Sequence, residues 1–342
     1  MAAAARAGLI SPTANAALEA ALHEKLKSRR QASGGSFGEL EPLAVRLGLI
    51  QNSANKPRLQ SPRIIVFAAD HGLAVENIDG GRPRSTAATV LALLAERLPL
   101  SVLARLHGLD LAVVDSGIAE ALPLQPRLLA RKIAHSSRDS RAGAAMTTAQ
   151  AHAAMRAGME IGDLLGGDAV ACAGIGQGSA QSAALLLSCL SDVPLRPLVD
   201  SGPDMPEGLL EHRLRVLQDA VNRHGHLEDP VEILAAVGGF EMAMMTGLML
   251  VAASRRRLVI VDGMAACAAL KVAAAIAPAV ADYCVLARSN PQPGLDRALD
   301  LSGQGALLNL GVDSIDGTGA ALAWPLVRCA AALLGDTSGR DE

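Results

Sequence analysis

Polar and glycine residues that could do chemistry follow short apolar runs at several points of this 342-residue sequence. The stretches are Ala-Ala-Asp-His-Gly at 68–72, Gly-Ile-Gly-Gln-Gly-Ser at 174–179, Val-Gly-Gly-Phe at 237–240, Val-Asp-Gly at 261–263 and Ile-Asp-Gly-Thr-Gly at 315–319. Bare glycines let a phosphate approach backbone N–H groups at a helix N-terminus. A desolvated carboxylate can act as a general base. These stretches are therefore the candidates for an anion-binding and proton-accepting site.

Each stretch also has a purely structural interpretation. A Gly-x-Gly-x-Gly run between a strand and a helix is a tight packing turn at least half the time. Asp70 could orient the neighbouring His71 or cap a helix, and Asp262 and Asp316 could be helix caps as well. The sequence contains no Ser-His-Asp set, metal-ligand pair or Walker motif. The residues alone therefore do not name a reaction.

The segments around these stretches alternate between short apolar runs and helical patterns. Apolar runs that predict buried strands lie at 64–67, 111–114, 169–173, 258–261 and 283–286. Helices are predicted at 14–27, 40–47, 86–103, 147–165, 180–190 and 265–276. A further helix begins at Pro230 with Asp229 as its cap. Near-continuous apolar strands alternating with helices indicate a parallel sheet covered on both faces. Ligands then bind beyond the carboxyl ends of the strands.

The composition restricts the class of protein. Half of the residues are apolar but only 1% are aromatic, so the core must be built from Ala, Leu, Val and Ile. A net charge of −3 gives no electrostatic case for binding nucleic acid or an acidic membrane, and the basic run at 255–257 is expected to be a solvated turn. Five widely spaced cysteines argue against a disulfide framework or a zinc site. The longest apolar run, 242–253, is too short to cross a bilayer. We expect a cytoplasmic protein.

The order and wording of these segments resemble the nicotinate-nucleotide:dimethylbenzimidazole phosphoribosyltransferase family. The similar segments lie in collinear order at 35–44, 67–72, 101–104, 113–117, 144–147, 174–176, 236–241, 261–263 and 316–323. They cover nearly the whole chain. The resemblance implies an α/β fold with a Rossmann-like parallel sheet and helices on both faces, formed by residues 61–304. It also implies a small helical domain from residues 1–60 and 305–342, and a homodimer or a heterodimer with an active paralogue.

The resemblance implies transfer of the phosphoribosyl group of nicotinate mononucleotide to 5,6-dimethylbenzimidazole or a related aromatic acceptor. The products are α-ribazole 5′-phosphate and nicotinate, in the assembly of the lower ligand of cobalamin, and no metal or other cofactor is required. Asp316 occupies the place of the family's catalytic glutamate and is the expected base. Phosphate and nucleotide binding is expected of Gly174, Gly176, Gln177, Ser179, Arg213, Gly238, Gly239, Asp262 and Gly263. The acceptor pocket is expected to include Asp70, His71, Arg82, Thr89 and Ile315.

Several positions depart from the family pattern. Asp316 is one methylene shorter than glutamate, which withdraws its oxygens by roughly 1–1.5 Å, and misplacement of that size can slow a reaction about 100-fold. Cys172 stands where the family has a glutamate, and Arg213 stands where it has a lysine. The family's Ser-His-x-Ser-x-Glu has become Ala-Arg-Ser-Asn-Pro-Gln at 287–292. These departures leave open a divergent paralogue with weak or no activity alone, acting as a partner subunit or a nucleotide binder.

Overall fold

A computed structural model describes residues 8–78, 80, 85–199, 205–289 and 293–335. The strands are β1 (Arg63–Ala69), β2 (Asp110–Gly117), β3 (Leu128–Ala130), β4 (Ala169–Ile175), β5 (Leu258–Asp262), β6 (Cys284–Arg288) and β7 (Ala306–Leu308). The helices of the first half are α1 (Ala16–Ser33), α2 (Leu40–Gln51), α3 (Thr86–Leu94), α4 (Pro99–Leu106), α5 (Thr148–Leu164) and α6 (Ser179–Ser191). Those of the second half are α7 (Glu207–His224), α8 (Pro230–Val237), α9 (Phe240–Ser254), α10 (Met264–Ile276), α11 (Pro293–Asp300) and α12 (Thr318–Leu333). Short 3₁₀ helices lie at Gly72–Glu76 and Pro278–Tyr283.

The strands form one parallel sheet in the order β3-β2-β1-β4-β5-β6-β7. The expected α/β class with a Rossmann-like sheet is confirmed. The chain runs outward in one direction from β1 and in the other from β4, so the order reverses between these two neighbours. Loops that leave adjacent strands in opposite directions open a crevice at the carboxyl edge of such a sheet. The polar stretches after β1, β4 and β5 therefore share one edge.

Small residues let the helices pack closely, as the near-absence of aromatic side chains requires. An alanine at Gly158 in α5 would place its Cβ 1.9 Å from the carbonyl oxygen of Met244 in α9, and one at Gly247 would lie 2.0 Å from that of Met155. The backbones of α5 and α9 thus touch at two points. Helix α9 is almost wholly buried on all sides, which fits the mainly apolar run at 242–253.

The two ends of the chain pack against each other. Helix α2 lies against α1 and α12, and the Arg29 guanidinium of α1 donates to the carbonyl of Gly335 after α12. Strand β7 pairs with β6 and so completes the sheet from the segment after residue 304. The division into residues 1–60, 61–304 and 305–342 stays a prediction.

The basic run at 255–257 is more than the solvated turn expected from its composition. Arg255 pairs with Asp163 at the end of α5. The Arg256 guanidinium donates to the last carbonyls of α2 at 2.8 Å and lies 5.7 Å from the ring centroid of Tyr283. The turn therefore fastens two helices to the amino end of β5. Among the described residues, one stretch, 86–106, is long and apolar enough to pass as a membrane span. It consists of α3 and α4, which pack on β1 and β2.

Candidate active site

The polar stretches meet at the carboxyl edge of the sheet. The backbone N–H of His71 donates to the carbonyl of Gln177 at 3.0 Å, which joins the turns after β1 and β4. A Cβ added at Gly317 would lie 3.5 Å from the Cβ of Ala173, so the turn before α12 reaches the end of β4. A Cβ added at Gly174 would lie 3.5 Å from the Cγ of Glu241, at the start of α9. One continuous set of contacts therefore links segments that are far apart in the sequence.

A first group of polar side chains, the His71 cluster, consists of His71, Ser179 and Glu241. The Nε2 atom of His71 lies 2.8 Å from Oε1 of Glu241, and the Ser179 hydroxyl donates to the same oxygen at 3.0 Å. The side chains of His71 and Glu241 are both 0% exposed. A Cβ on Gly239 would lie 2.2 Å from His71 Cε1 and 2.4 Å from Glu241 Oε2, so only glycine fits there. The cluster ties three turns together in a dry environment.

Asp70 fixes the same turns through backbone groups. Its Oδ1 accepts from the N–H of Gln177 at 3.2 Å and from the hydroxyl of Thr86. Its Oδ2 accepts from the N–H of Ala119 at 2.8 Å. Both oxygens therefore have donors within the protein, from α3, the turn after β2 and the turn after β4. The role of Asp70 and His71 in an acceptor pocket stays a prediction.

A second group, the Arg288 cluster, consists of Asp262, Arg288 and Asp316. Arg288 Nε donates to Asp262 Oδ1 at 3.0 Å, and its Nη2 donates to Asp316 Oδ1 at 3.0 Å. Burial lowers the pKa of Arg288, but the two carboxylates outweigh burial and raise that pKa above its ordinary value. The guanidinium is therefore charged. The side chain of Asp316 is 25% exposed, whereas that of Asp262 is 0% exposed.

Asp262 supplies the cap of α12 from a distant strand. Its Oδ2 accepts from the backbone N–H groups of Gly317 at 2.7 Å and Ala320 at 3.1 Å. These are N–H groups at the helix N-terminus, which have no partner inside the helix and attract a negative charge. Asp316 is not the cap, because Gly317 holds the N-cap position and the Asp316 carboxylate turns toward Arg288.

Comparison with known proteins identifies the family of this chain. A phosphoribosyltransferase family model matches residues 11–342. The chain belongs to this phosphoribosyltransferase family. It is 38% identical over 325 residues to the nicotinate-nucleotide–dimethylbenzimidazole phosphoribosyltransferase of Variovorax paradoxus, covering 95% of this chain and 93% of that one. Identity to the protein of that name from Cupriavidus necator is 39% over 324 residues, covering 93% and 91%. The crystal structure of the Thermus thermophilus protein of that name matches with a TM-score of 0.86 at 28% identity, covering 94% and 96%.

These relatives confirm the family expected from the sequence, and the remaining predicted residues of this family member lie in several places. Arg213 is buried on α7, where its Nε donates to the carbonyl of Ile78 at 2.7 Å. Thr89 is half-buried on α3 and donates to the carbonyl of Ser85 at 3.1 Å. Ile315 is half-buried beside Asp316. Arg82 lies outside the described residues. The binding roles of all these residues, and of the glycines at 174, 176, 238, 239 and 263, stay predictions.

Cys172 lies on β4, two residues before Gly174, at the position where the family pattern has a glutamate. Its side chain is fully buried. Burial, with a smaller contribution from Cys284, raises the pKa of the Cys172 thiol well above its ordinary value. The thiol is therefore neutral and cannot replace a carboxylate in proton transfer. Among the described residues, no three His, Cys, Asp or Glu side chains group as a metal site would need.

The sequence predicted no role for three residues of the site. Glu241 is the single acidic residue at the start of the long apolar run of α9, and a lone charge in such a run is a signal of a buried partner. Arg288 ends an apolar strand and gives the same signal. Thr86 gives none, because a threonine in the first turn of a helix is common.

Proposed function

We propose that this protein transfers the phosphoribosyl group of nicotinate mononucleotide to 5,6-dimethylbenzimidazole or a related aromatic base. The products would be α-ribazole 5′-phosphate and nicotinate, for the lower ligand of cobalamin. The names of the relatives support the two substrates. The single observation that carries a role for this chain's residues is the position of Asp316. Of the acidic side chains in the two clusters, only that of Asp316 is partly exposed, and it lies beside the glycine turns.

The reaction requires that the protein position the two substrates and supply one proton acceptor. A ring nitrogen of the acceptor attacks C1′ of the ribose while the bond to nicotinate breaks, and the electron pair of that bond neutralises the pyridinium. No general acid is needed for this departure. The other ring nitrogen of the acceptor then carries an acidic proton, which passes to the Asp316 carboxylate. The phosphate lies at the start of α6, beside the glycines of the turn at 174–179. The Gln177 N–H is not among its donors, because it donates to Asp70.

Burial separates the two carboxylates nearest this reaction. Asp262 has donors on both oxygens and is 0% exposed, so it is a poor candidate for the base, and its expected part in nucleotide binding stays a prediction. Asp316 accepts from Arg288 through Oδ1 and has a side chain partly exposed to solvent. A general base must be an ionised carboxylate, because only that form accepts a proton.

The assay is the release of nicotinate from nicotinate mononucleotide in the presence of 5,6-dimethylbenzimidazole. We expect turnover by the purified protein and a loss of about 100-fold or more in Asp316→Asn, because the amide accepts no proton. Asp110→Asn is the matched control, because Asp110 begins β2 at the opposite edge of the sheet and is exposed. Equal turnover in Asp316→Asn and the wild type would contradict the role of Asp316.

We further propose that the active form is a cytoplasmic homodimer. The alternative is a divergent paralogue with weak or no activity alone, which acts as the partner subunit of an active paralogue or as a nucleotide binder. The neutral, buried Cys172 thiol favours this alternative. Nucleotide binding by calorimetry without turnover, together with copurification of an active relative, would support it. A homogeneous, active homodimer would exclude it.

A further inference from the structure

We propose that Arg288 is a positioning residue that fixes the Asp316 carboxylate for the acceptor base. The inference rests on the proposed function and deepens it. The Arg288 side chain is 3% exposed and leaves the end of β6. Its guanidinium donates to Asp262 on β5, to the carbonyls of Val312 and Ser314, and to Asp316. One rigid fork therefore joins two strands to the turn that carries Asp316.

The backbone is shaped around this arrangement. Gly263 has a φ of +92°, and a Cβ there would lie 2.0 Å from Oδ2 and 2.1 Å from Cγ of Asp316. A Cβ on Gly319 would lie 2.5 Å from Cδ of Arg288 and 2.6 Å from Oδ1 of Asp262. Two bare glycines thus form the walls of a slot that holds all three side chains. The Asp316 carboxylate lies between the Gly263 backbone and the Arg288 guanidinium.

Arg288 acts on Asp316 and not on the phosphate of the substrate. Its Nε, Nη1 and Nη2 atoms all donate to protein oxygens, and the side chain is almost completely buried. A guanidinium that already holds two carboxylates has no open face for a third anion. Its planar fork also fixes direction, which a lysine ammonium does not do. A short aspartate that is held in one place can then act without the reach of a longer acid.

The charge of Arg288 gives this role a pH signature. The groups that act on the cluster are Arg288 from β6, Asp262 from β5, Asp313 from the loop before α12, and Cys267 from α10. Burial first, and then Asp316 and Asp262, raise the pKa of the Cys267 thiol, so that it carries no charge. Without Arg288, the carboxylates repel one another with no cation between them, which favours protonation. Asp316 would then take up a proton at higher pH, and activity would be lost earlier as the pH falls.

The test compares Arg288→Leu and Arg288→Lys with the wild type and with Arg105→Leu, an exposed arginine on α4. In Arg288→Leu we expect kcat to fall about 100-fold and the acid limb of the kcat profile to move up by about 1–3 pH units. The KM and the calorimetric Kd for nicotinate mononucleotide should change by less than threefold. Arg288→Lys should return the acid limb toward its original pH but recover only part of kcat, because it restores the charge and not the fork.

A readout without turnover separates this inference from the proposed function. The ¹³C carboxyl resonance of Asp316, assigned by its loss in Asp316→Asn, should titrate at higher pH in Arg288→Leu than in the wild type. An inactive wild type with this shift would refute the proposed function and keep the positioning role.

Unchanged titration and unchanged kcat in folded Arg288→Leu would overturn the role. A tenfold weaker nucleotide Kd with an unmoved acid limb would also overturn it, in favour of a nucleotide contact. If Arg288→Leu does not fold, Arg288→Lys with wild-type kcat would refute the need for the fork.

Discussion

The His71 cluster and the Arg288 cluster stand at the same edge of one sheet and use similar groups, yet they differ in access. His71 and Glu241 face each other at 2.8 Å, and neither side chain is exposed. In the Arg288 cluster, Asp262 and Arg288 are equally enclosed, but the third member, Asp316, is 25% exposed. The closed His71 cluster holds three turns together. An ion pair whose second carboxylate belongs to a partly exposed side chain can hold a turn and also take part in the proposed reaction.

The largest expected difference is in stability after the loss of each carboxylate. Glu241→Ala should lower the free energy of unfolding by about 3–5 kcal/mol, because it removes the hydrogen-bond partner of two buried side chains, His71 and Ser179. Asp316→Ala should lower it by only about 1–2 kcal/mol, because Arg288 retains Asp262 and two carbonyls. Urea unfolding of both variants measures the two changes. Equal losses would mean that the clusters do not differ as their exposure indicates.

The glycines beside the clusters give a second contrast. Gly239→Ala should lower the free energy of unfolding by about 1–3 kcal/mol, because its Cβ clashes with the buried side chains of His71 and Glu241 and overpacks the site. Gly263→Ala should lose about 1–3 kcal/mol from its backbone at positive φ and should also lose turnover, because its Cβ displaces Asp316.

The control for both glycine variants is Gly208→Ala. Gly208 lies in α7 and has nothing within 4 Å of an added Cβ, so the change should be neutral or stabilising by up to about 1 kcal/mol. Thermal unfolding and the nicotinate assay together separate the cases. Full turnover in folded Gly263→Ala would break the link between the slot and the reaction.

The sequence predicted the inner strands of the sheet but not its edges. The apolar runs that became β1, β2, β4, β5 and β6 are buried on both faces, so their composition alone marks them. Strands β3 and β7 have three residues each and are partly exposed, and such short segments resemble loops. Helix α7 was missed because it buries few residues and is largely polar. The extent to which an element is buried, more than the intrinsic preference of its residues, decides whether the sequence predicts it.

The sequence predicted which turns form the site but not the contacts between them. His71 and Glu241 are 170 positions apart, and Asp262 reaches the N–H of Gly317 across 55 positions. Spacing along the chain carries no information on such pairs, because the sheet order decides which turns become neighbours. The relation of Asp262 to α12 illustrates this: the cap of the last helix comes from the end of β5. A local rule could consider only Asp316.

Two serines test the hydrogen bonds within the His71 cluster on a smaller scale. Ser179→Ala removes the hydroxyl that donates to Glu241 at 3.0 Å and should destabilise by about 1.5–3 kcal/mol, as expected for a hydrogen bond to a charged group. Ser116→Ala is the matched control, because Ser116 is fully buried and its hydroxyl has no hydrogen-bond partner in the part of the chain described. Its removal should be neutral or slightly stabilising. Similar losses in both variants would indicate a packing effect in place of the hydrogen bond.

The smallest expected signal comes from the thiols, which report whether water enters between the clusters. Cys172 lies below Gly174 and is fully buried, whereas Cys329 on α12 is exposed. Burial raises the pKa of Cys189 to about 11. The reactive thiolate form of Cys189 is therefore about one part in a thousand at pH 8, and this fraction grows about tenfold for each unit of rising pH. Iodoacetamide followed by mass spectrometry should therefore modify Cys329 first and leave Cys172 intact until the protein unfolds. Rapid modification of native Cys172 would mean that the region between the clusters opens to solvent, and the contrast between a closed and an accessible cluster would not hold.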